Sequence, residues 1–134
     1  MASTAAPSHV YLQYFVLSTA ILGFVGHTST LVSPSTFGSN FTPKHRPSFT
    51  PLAARSLGAW FLTCSILRFG AWFYWGEKGW YDVGMLSLVL PIWHYSLEKA
   101  VWGSVKWKQL GLAWGLDGLG LIWMLKSRAD VLGL

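Results

Sequence analysis

Long apolar runs alternate with short polar stretches along the chain. There are four such runs, at residues of about 10–32, 52–75, 80–102 and 109–125. Each reaches, or nearly reaches, the roughly 20 residues that a helix needs to cross a bilayer. The pattern therefore predicts an all-α fold, an integral membrane four-helix bundle, in which residues 1–134 form a single transmembrane domain.

The connections between the runs predict how the helices are joined. Residues 33–51, SPSTFGSNFTPKHRPSFTP, are rich in Ser, Thr, Pro and Asn and predict an irregular loop. The second and third runs are separated only by GEKG at 76–79, so they must form an antiparallel hairpin. Pro91 removes a backbone hydrogen bond to Ser87, which predicts a bend just before His94.

Composition strengthens the membrane interpretation. Hydrophobic residues make up 52% of the chain and charged residues only 11%, whereas a water-soluble domain carries about a quarter charged residues. The net charge of +5 comes from Lys and Arg scattered among apolar segments, so we expect no nucleic-acid partner. Aromatic residues crowd the two ends of the predicted hairpin, as in the belts at membrane surfaces: Trp72, Tyr74, Trp75, Trp80 and Tyr81.

Two signals give opposite membrane orientations. No Lys or Arg precedes Lys44, so the first run lacks the basic region of a cleavable signal peptide and is expected to remain as an anchor. The larger share of Lys and Arg lies on the side of the 33–51 loop, which favours a cytoplasmic loop. The glycosylation sequon at Asn40 would instead require a lumenal loop. Both orientations stay open.

Charged residues inside the runs predict two polar layers. Counting 1.5 Å per helical residue places Arg68 and Asp117 roughly 10 and 12 Å from the face that carries the GEKG turn. A charge in hydrocarbon is costly and normally has a partner, so the matching heights predict an ion pair in the bundle interior. The alternative is that the Arg68 side chain extends to the headgroups.

The second layer is predicted near the opposite face. It gathers Arg55, Glu98, His94 and His27, which all lie within about 12 Å of that face by the same count. Taken alone, Arg55 is close enough to the surface to reach the headgroups. We expect the residues of both layers to shape the bundle or to face a partner.

Small residues at helical spacing predict close approach between helices. Gly58 follows Ala54, and Gly115 follows Gly111, at the four-residue spacing that lets backbones pack closely in a membrane. These residues predict either packing inside the bundle or the seam of a homodimer, and the sequence does not separate the two.

The sequence contains no strong catalytic or metal-binding pattern. It lacks an HExxH motif, a nucleophile elbow and a glycine-rich phosphate loop, and Cys64 is its single cysteine. His94 and Glu98 lie four residues apart, on one side of a helix, where acid–base work is conceivable. We nevertheless predict no catalytic residue, no metal site and no cofactor.

Two blocks of the sequence are similar to a known family. ARSLGAWFLTCSILR at 54–68, followed by HYSLE at 94–98, resembles the ergosterol-biosynthesis scaffold protein family. The family pattern is Ala-Arg-Thr-Phe-Gly-x-Trp, a later arginine, and His-Phe-x-x-Glu in the next span. Ser56, Leu57 and Tyr95 depart from it. The matching residues are Ala54, Arg55, Gly58, Trp60, Arg68, His94 and Glu98.

The resemblance implies a non-catalytic, multi-pass scaffold of the endoplasmic reticulum membrane. Family members are thought to hold together the sterol C-4 methyl oxidase, the decarboxylating sterol dehydrogenase and the 3-keto sterol reductase. These enzymes are the partners that the resemblance implies, whereas the composition and the apolar runs predict the lipid bilayer. Two alternatives stay open, namely a small intramembrane sterol-modifying enzyme that uses His94 and Glu98, and a carrier that binds a sterol or another lipid.

Overall fold

Helices make up the regular structure of the described residues. The computed structural model describes residues 7–134, which contain no strand beyond one isolated bridge between Phe41 and Val105. The all-α prediction is confirmed, while residues 1–6 of the predicted domain lie outside the described residues. The helices are α1 (Pro7–Val32), α2 (Pro34–Gly38), α3 (Pro51–Phe73), α4 (Lys78–Leu97), α5 (Trp107–Ala113) and α6 (Leu119–Leu132).

Two π-helical turns extend these helices. α4 continues into a π-helical turn at Glu98–Trp102, and a second one at Trp114–Gly118 joins α5 to α6. Residues 107–132 therefore form one continuous helical rod. The four rods, which are α1, α3, α4 and α5–α6, correspond to the four apolar runs, although the last continues well beyond residue 125.

One helix of the described residues has both the length and the composition for a membrane crossing. It is the stretch His9–Val32 of α1. α5 and α6 have only 7 and 14 residues when each is taken alone, because the π-helical turn divides their rod. The arrangement with four membrane spans stays a prediction.

The rods pack in a cyclic order. α1 makes its most extensive contact with α3, α3 packs on α4, and α4 packs on both α5 and α6. α6 returns to α1, whereas a cleft separates α1 from α5. The bundle is thus closed beside α6 and open beside α5.

Local chemistry fixes both ends of α3. Thr50 Oγ1 accepts a hydrogen bond from Ala53 N at 3.2 Å, and Pro51 lies in the first turn, where a missing N–H costs little. At the other end, residues 74–77 reverse the chain into α4. Gly76 has φ +93° within this reversal, a conformation that side chains strongly disfavour. The antiparallel hairpin is therefore present.

The segment 33–51 is less irregular than predicted. It contains α2 and a 3₁₀ turn at Arg46–Ser48. Thr42 N donates to Ser104 O at 2.7 Å, and Lys106 N donates to Asn40 O at 3.1 Å. The segment therefore pairs with the connection that precedes α5, a contact that its Ser, Thr and Pro content could not reveal.

Two apolar clusters fill the interior. The cluster nearer the 74–77 turn consists of Leu12, Val16, Ala71, Tyr81, Leu88 and Met124. The other consists of Tyr95, Val105 and Ala113. Tyr81 is fully buried, and its Oη donates to Met124 O at 2.8 Å. This tyrosine therefore belongs to the core and not to a surface belt.

The glycines fall into two groups. Gly58 is buried in the contact between α1 and α3, where a Cβ would overlap the Thr30 side chain and lie 3.3 Å from His27 Nδ1. Gly111 and Gly115 are exposed, and a Cβ on either would meet nothing within 4 Å. Gly58 therefore serves packing inside the chain, whereas Gly111 and Gly115 do not, which leaves the homodimer seam as a prediction.

Alanine at Gly58 is expected to destabilise the protein, because its methyl group would displace Thr30, which is held by a 2.7 Å bond to His27 O. Overpacking of this kind costs about 1–3 kcal/mol. The matched variant Gly111→Ala should be neutral or stabilising by up to about 1 kcal/mol, because it adds only helix propensity. Thermal unfolding in detergent, followed by circular dichroism, measures both. Equal midpoints for the two variants would contradict the packing assigned to Gly58.

Candidate functional site

A buried arginine connects three of the four rods. Arg68 on α3 is 6% exposed, and its Nη2 lies 2.7 Å from Asp117 Oδ1, in the π-helical turn between α5 and α6. Its Nε donates to Ser87 Oγ at 3.2 Å, and Nη2 donates to Ser87 O at 2.9 Å, on α4. The ion pair that the helical heights predict is present, and the same guanidinium also binds α4.

Pro91 accounts for the acceptor on α4. In a regular helix the carbonyl of Ser87 accepts a hydrogen bond from the N–H of residue 91, which proline lacks. α4 nevertheless runs through Pro91. The guanidinium of Arg68 supplies the missing donor, so a side chain from α3 replaces a backbone bond within α4.

The π-helical turn sets the direction of Asp117. Asp117 and Gly118 are buried, although Gly111 and Gly115 in the same rod are exposed. A π-helical turn holds one extra residue and so rotates the following residues by about 100° relative to a regular helix. That rotation accompanies the inward position of the carboxylate.

The predicted second layer does not form as one cluster. Arg55 is exposed and has no ion pair within 4.0 Å among the described residues, and His94 is exposed as well. His27 Nδ1 contacts Gly58 O at 2.9 Å, and because a carbonyl only accepts, His27 donates this bond. Glu98 Oε2 accepts a hydrogen bond from Ser104 Oγ. These residues share a height but point to different neighbours.

His94 and Glu98 instead line a groove between α3 and α4. We call it the tryptophan-rimmed groove, and its volume is about 340 Å³. Trp60 and Trp93 on its rim are 59% and 63% exposed. The groove is thus an apolar surface with one imidazole and one carboxylate. Its main lining residues are Leu57, Trp60, Trp93, His94, Glu98 and Trp102.

Two polar contacts near the 74–77 turn were not predicted. Arg128 of α6 donates from Nε and Nη2 to the two carboxylate oxygens of Asp82 in α4, both at 2.9 Å. Gln13 Nε2 donates to Trp72 O at 2.9 Å and links α1 to α3. Height counting could have suggested the first pair, since both residues lie near one face, but nothing in the sequence indicated the second.

The buried Arg68 and Asp117 make contacts between helices. Within residues 7–134, no group of three or more His, Cys, Asp or Glu residues is placed to hold a metal ion. Arg68, Asp117 and Ser87 bind one another, and Glu98 binds the connection that follows it. The fold and site define a small all-helical protein whose interior charges fix the positions of its rods.

Comparison with known proteins gives the family. The model of the family described as Erg28 like protein matches residues 12–116, which include both motif blocks. The chain belongs to this family, and the resemblance drawn from the two blocks is confirmed.

A curated relative agrees with this assignment. The chain is 31% identical over 91 residues to a Candida albicans protein named "Ergosterol biosynthetic protein 28". The aligned region covers 63% of this chain and 62% of the relative, so the chain spans about three fifths of that protein's length. No solved structure matches the chain.

Replacing Arg68 by methionine is expected to lower the free energy of unfolding by about 3–5 kcal/mol, because Asp117 would keep a buried charge without its partner. The double variant Arg68→Met/Asp117→Leu should recover part of this loss, since it buries no charge. Arg128→Met removes a partly exposed arginine and is the matched control, with little expected change. Chemical unfolding in detergent measures all three. A double variant less stable than Arg68→Met would contradict this account of the buried pair.

Proposed function

We propose that this protein is a non-catalytic membrane scaffold in ergosterol biosynthesis. Its role is to hold the sterol C-4 methyl oxidase, the decarboxylating sterol dehydrogenase and the 3-keto sterol reductase together at the endoplasmic reticulum. The family and the printed name of the Candida albicans relative support the pathway. The observation that carries the scaffold role is the outward-facing tryptophan-rimmed groove on a bundle whose buried charges bind one another.

The helix dimensions support a membrane-embedded bundle. α1, with 26 residues, is about 39 Å long, and α3, with 23 residues, is about 35 Å long. Both exceed the hydrocarbon thickness of about 30 Å. Only 22% of the most apolar window of α1 is buried, whereas a core helix of a soluble protein would be mostly buried. Lipid is the solvent that suits such a surface, so the four rods are the membrane spans.

The tryptophan-rimmed groove is the proposed docking surface for a partner. Trp60 and Trp93 are large and exposed, and tryptophan often dominates the binding energy of interfaces. They flank His94 and Glu98, which give an otherwise apolar surface two polar contacts. A partner helix that fills the groove would bury these rings and gain hydrophobic free energy as well as orientation.

The double variant Trp60→Ala/Trp93→Ala is expected to lower recovery of the three C-4 enzymes by about tenfold or more. Tagged chains are captured from gently solubilised membranes of Candida albicans cells that lack the relative, and co-purifying proteins are identified by mass spectrometry. Trp107→Ala is the control, because Trp107 is 73% exposed and lies outside the groove.

The outcomes of this capture experiment separate the candidate functions. If the unmodified chain recovers none of the three enzymes, the scaffold proposal is wrong. If recovery is normal in both Trp variants, docking occurs elsewhere. The rival function is an enzyme that uses His94 and Glu98, and it is favoured if His94→Ala retains every partner but sterol C-4 demethylation stops.

Cysteine labelling tests the proposed membrane spans. In a Cys64→Ser background, single cysteines at the exposed positions Lys44 and Lys78 lie before and after α3. A membrane-impermeant maleimide should label one of them in sealed microsomes and both after permeabilisation. Labelling of both in sealed vesicles would contradict a single membrane span, α3, between these positions, and the labelled residue reports the orientation.

A further inference from the structure

A cleft lies between α1 and α5, beside the buried pair of Arg68 and Asp117. Its volume is about 360 Å³, within the range of about 300–1,000 Å³ that ligand pockets occupy. The space exists because α1 packs on α3 and α6 while α5 packs on α4. Leu22 of α1 and Leu112 and Leu116 of α5 line it and are exposed, so its opening is apolar.

A buried hydroxyl without a partner lies in the wall of this cleft. Tyr95 is 4% exposed, and its Oη makes no hydrogen bond of acceptable geometry among the described residues, although the side chain of Gln109, which also lines the cleft, lies near it. Buried polar groups are nearly always hydrogen-bonded, because leaving one unpaired costs free energy. Tyr81 illustrates the usual case, since its Oη is bonded to Met124 O. The Tyr95 hydroxyl is covered in this structure, so a molecule that enters the cleft can supply the missing partner only when neighbouring side chains move slightly.

We propose that the cleft binds an apolar lipid that carries a single hydroxyl group. The apolar opening favours entry from a hydrocarbon phase, and the leucine side chains would contact the body of the lipid. The lipid hydroxyl would bond to Tyr95 Oη. Arg68 and Asp117 also line the cleft, but they bind each other, so a lipid with a full charge would compete with that pair.

Photoaffinity labelling of the purified full chain in detergent tests the proposal. The two probes are a diazirine derivative of ergosterol with a free hydroxyl and a diazirine derivative of 1-octadecanol. At least one probe should label the protein saturably. The unlabelled alcohol should compete with that probe about tenfold better than its acetate ester does, because the ester cannot donate a hydrogen bond. Preference between the probes distinguishes a ring lipid from a linear one.

Tyr95→Phe is expected to weaken that binding by about five- to tenfold. The ligand-free variant should unfold at the same temperature as the unmodified chain, because the hydroxyl has no partner in the protein. Tyr81→Phe is the matched control, since it removes another buried hydroxyl, lowers stability and leaves binding unchanged. Leu112→Trp, at the exposed rim, should obstruct the opening and weaken binding without unfolding the chain.

Several results would overturn the proposal. The first is that neither probe labels the protein saturably. The second is that the alcohol and its acetate compete equally, and the third is that Tyr95→Phe binds as tightly as the unmodified chain. The last result would mean that the Tyr95 hydroxyl makes no contact with the bound lipid. The labelling is measured on the purified chain without partner proteins. Failure to recover the three enzymes in the capture experiment therefore does not change it, and the lipid site and the scaffold role are tested separately.

Discussion

The requirement to neutralise one buried cation organises the bundle. Arg68 cannot lose its charge, and burying it without partners would cost several kcal/mol. Asp117 offsets the charge from one side, and the backbone carbonyl of Ser87 accepts from another. These partners belong to two other rods, so the guanidinium is satisfied only when α3, α4 and the α5–α6 rod are in register. Because burying this charge without its partners is costly, the arrangement of rods that supplies both partners is favoured over others.

Departures from the regular α-helix supply the partners of that cation. Pro91 frees a carbonyl in the middle of α4, and the π-helical turn at Trp114–Gly118 accompanies the inward position of Asp117. Each departure would be unfavourable in an isolated helix, because it removes or weakens backbone hydrogen bonds. Here the side chain of Arg68 donates to the carbonyl that Pro91 leaves free, and it forms an ion pair with Asp117 in the π-helical turn. The irregular positions and the buried charge therefore stabilise one another.

The sequence predicted well how far each residue lies along the bundle axis, but it predicted poorly which way the side chains point. The number of rods followed from the four apolar runs and the hairpin from the short GEKG connection. The Arg68–Asp117 pair followed from the fixed rise per residue of a helix, which depends only on position along the chain. The direction of a side chain also depends on local helix geometry and on tertiary contacts. Arg55 and Glu98 share a height without pairing. Gly111 and Gly115 are exposed in a rod that contains a π-helical turn, which the sequence did not reveal. Tyr81 lies in the core, where its hydroxyl donates a hydrogen bond to Met124 O on α6.

The tryptophan-rimmed groove and the cleft beside α5 share a wall. Phe61, Cys64, Pro91 and Tyr95 line both spaces. Because protein interiors are closely packed, a molecule that moves these side chains from one space changes the shape of the other. On the two proposals above, a lipid in the cleft and a protein docked in the groove would be linked, with the same coupling free energy in both directions. A scaffold built in this way would hold its partners more or less tightly according to the lipid beside it.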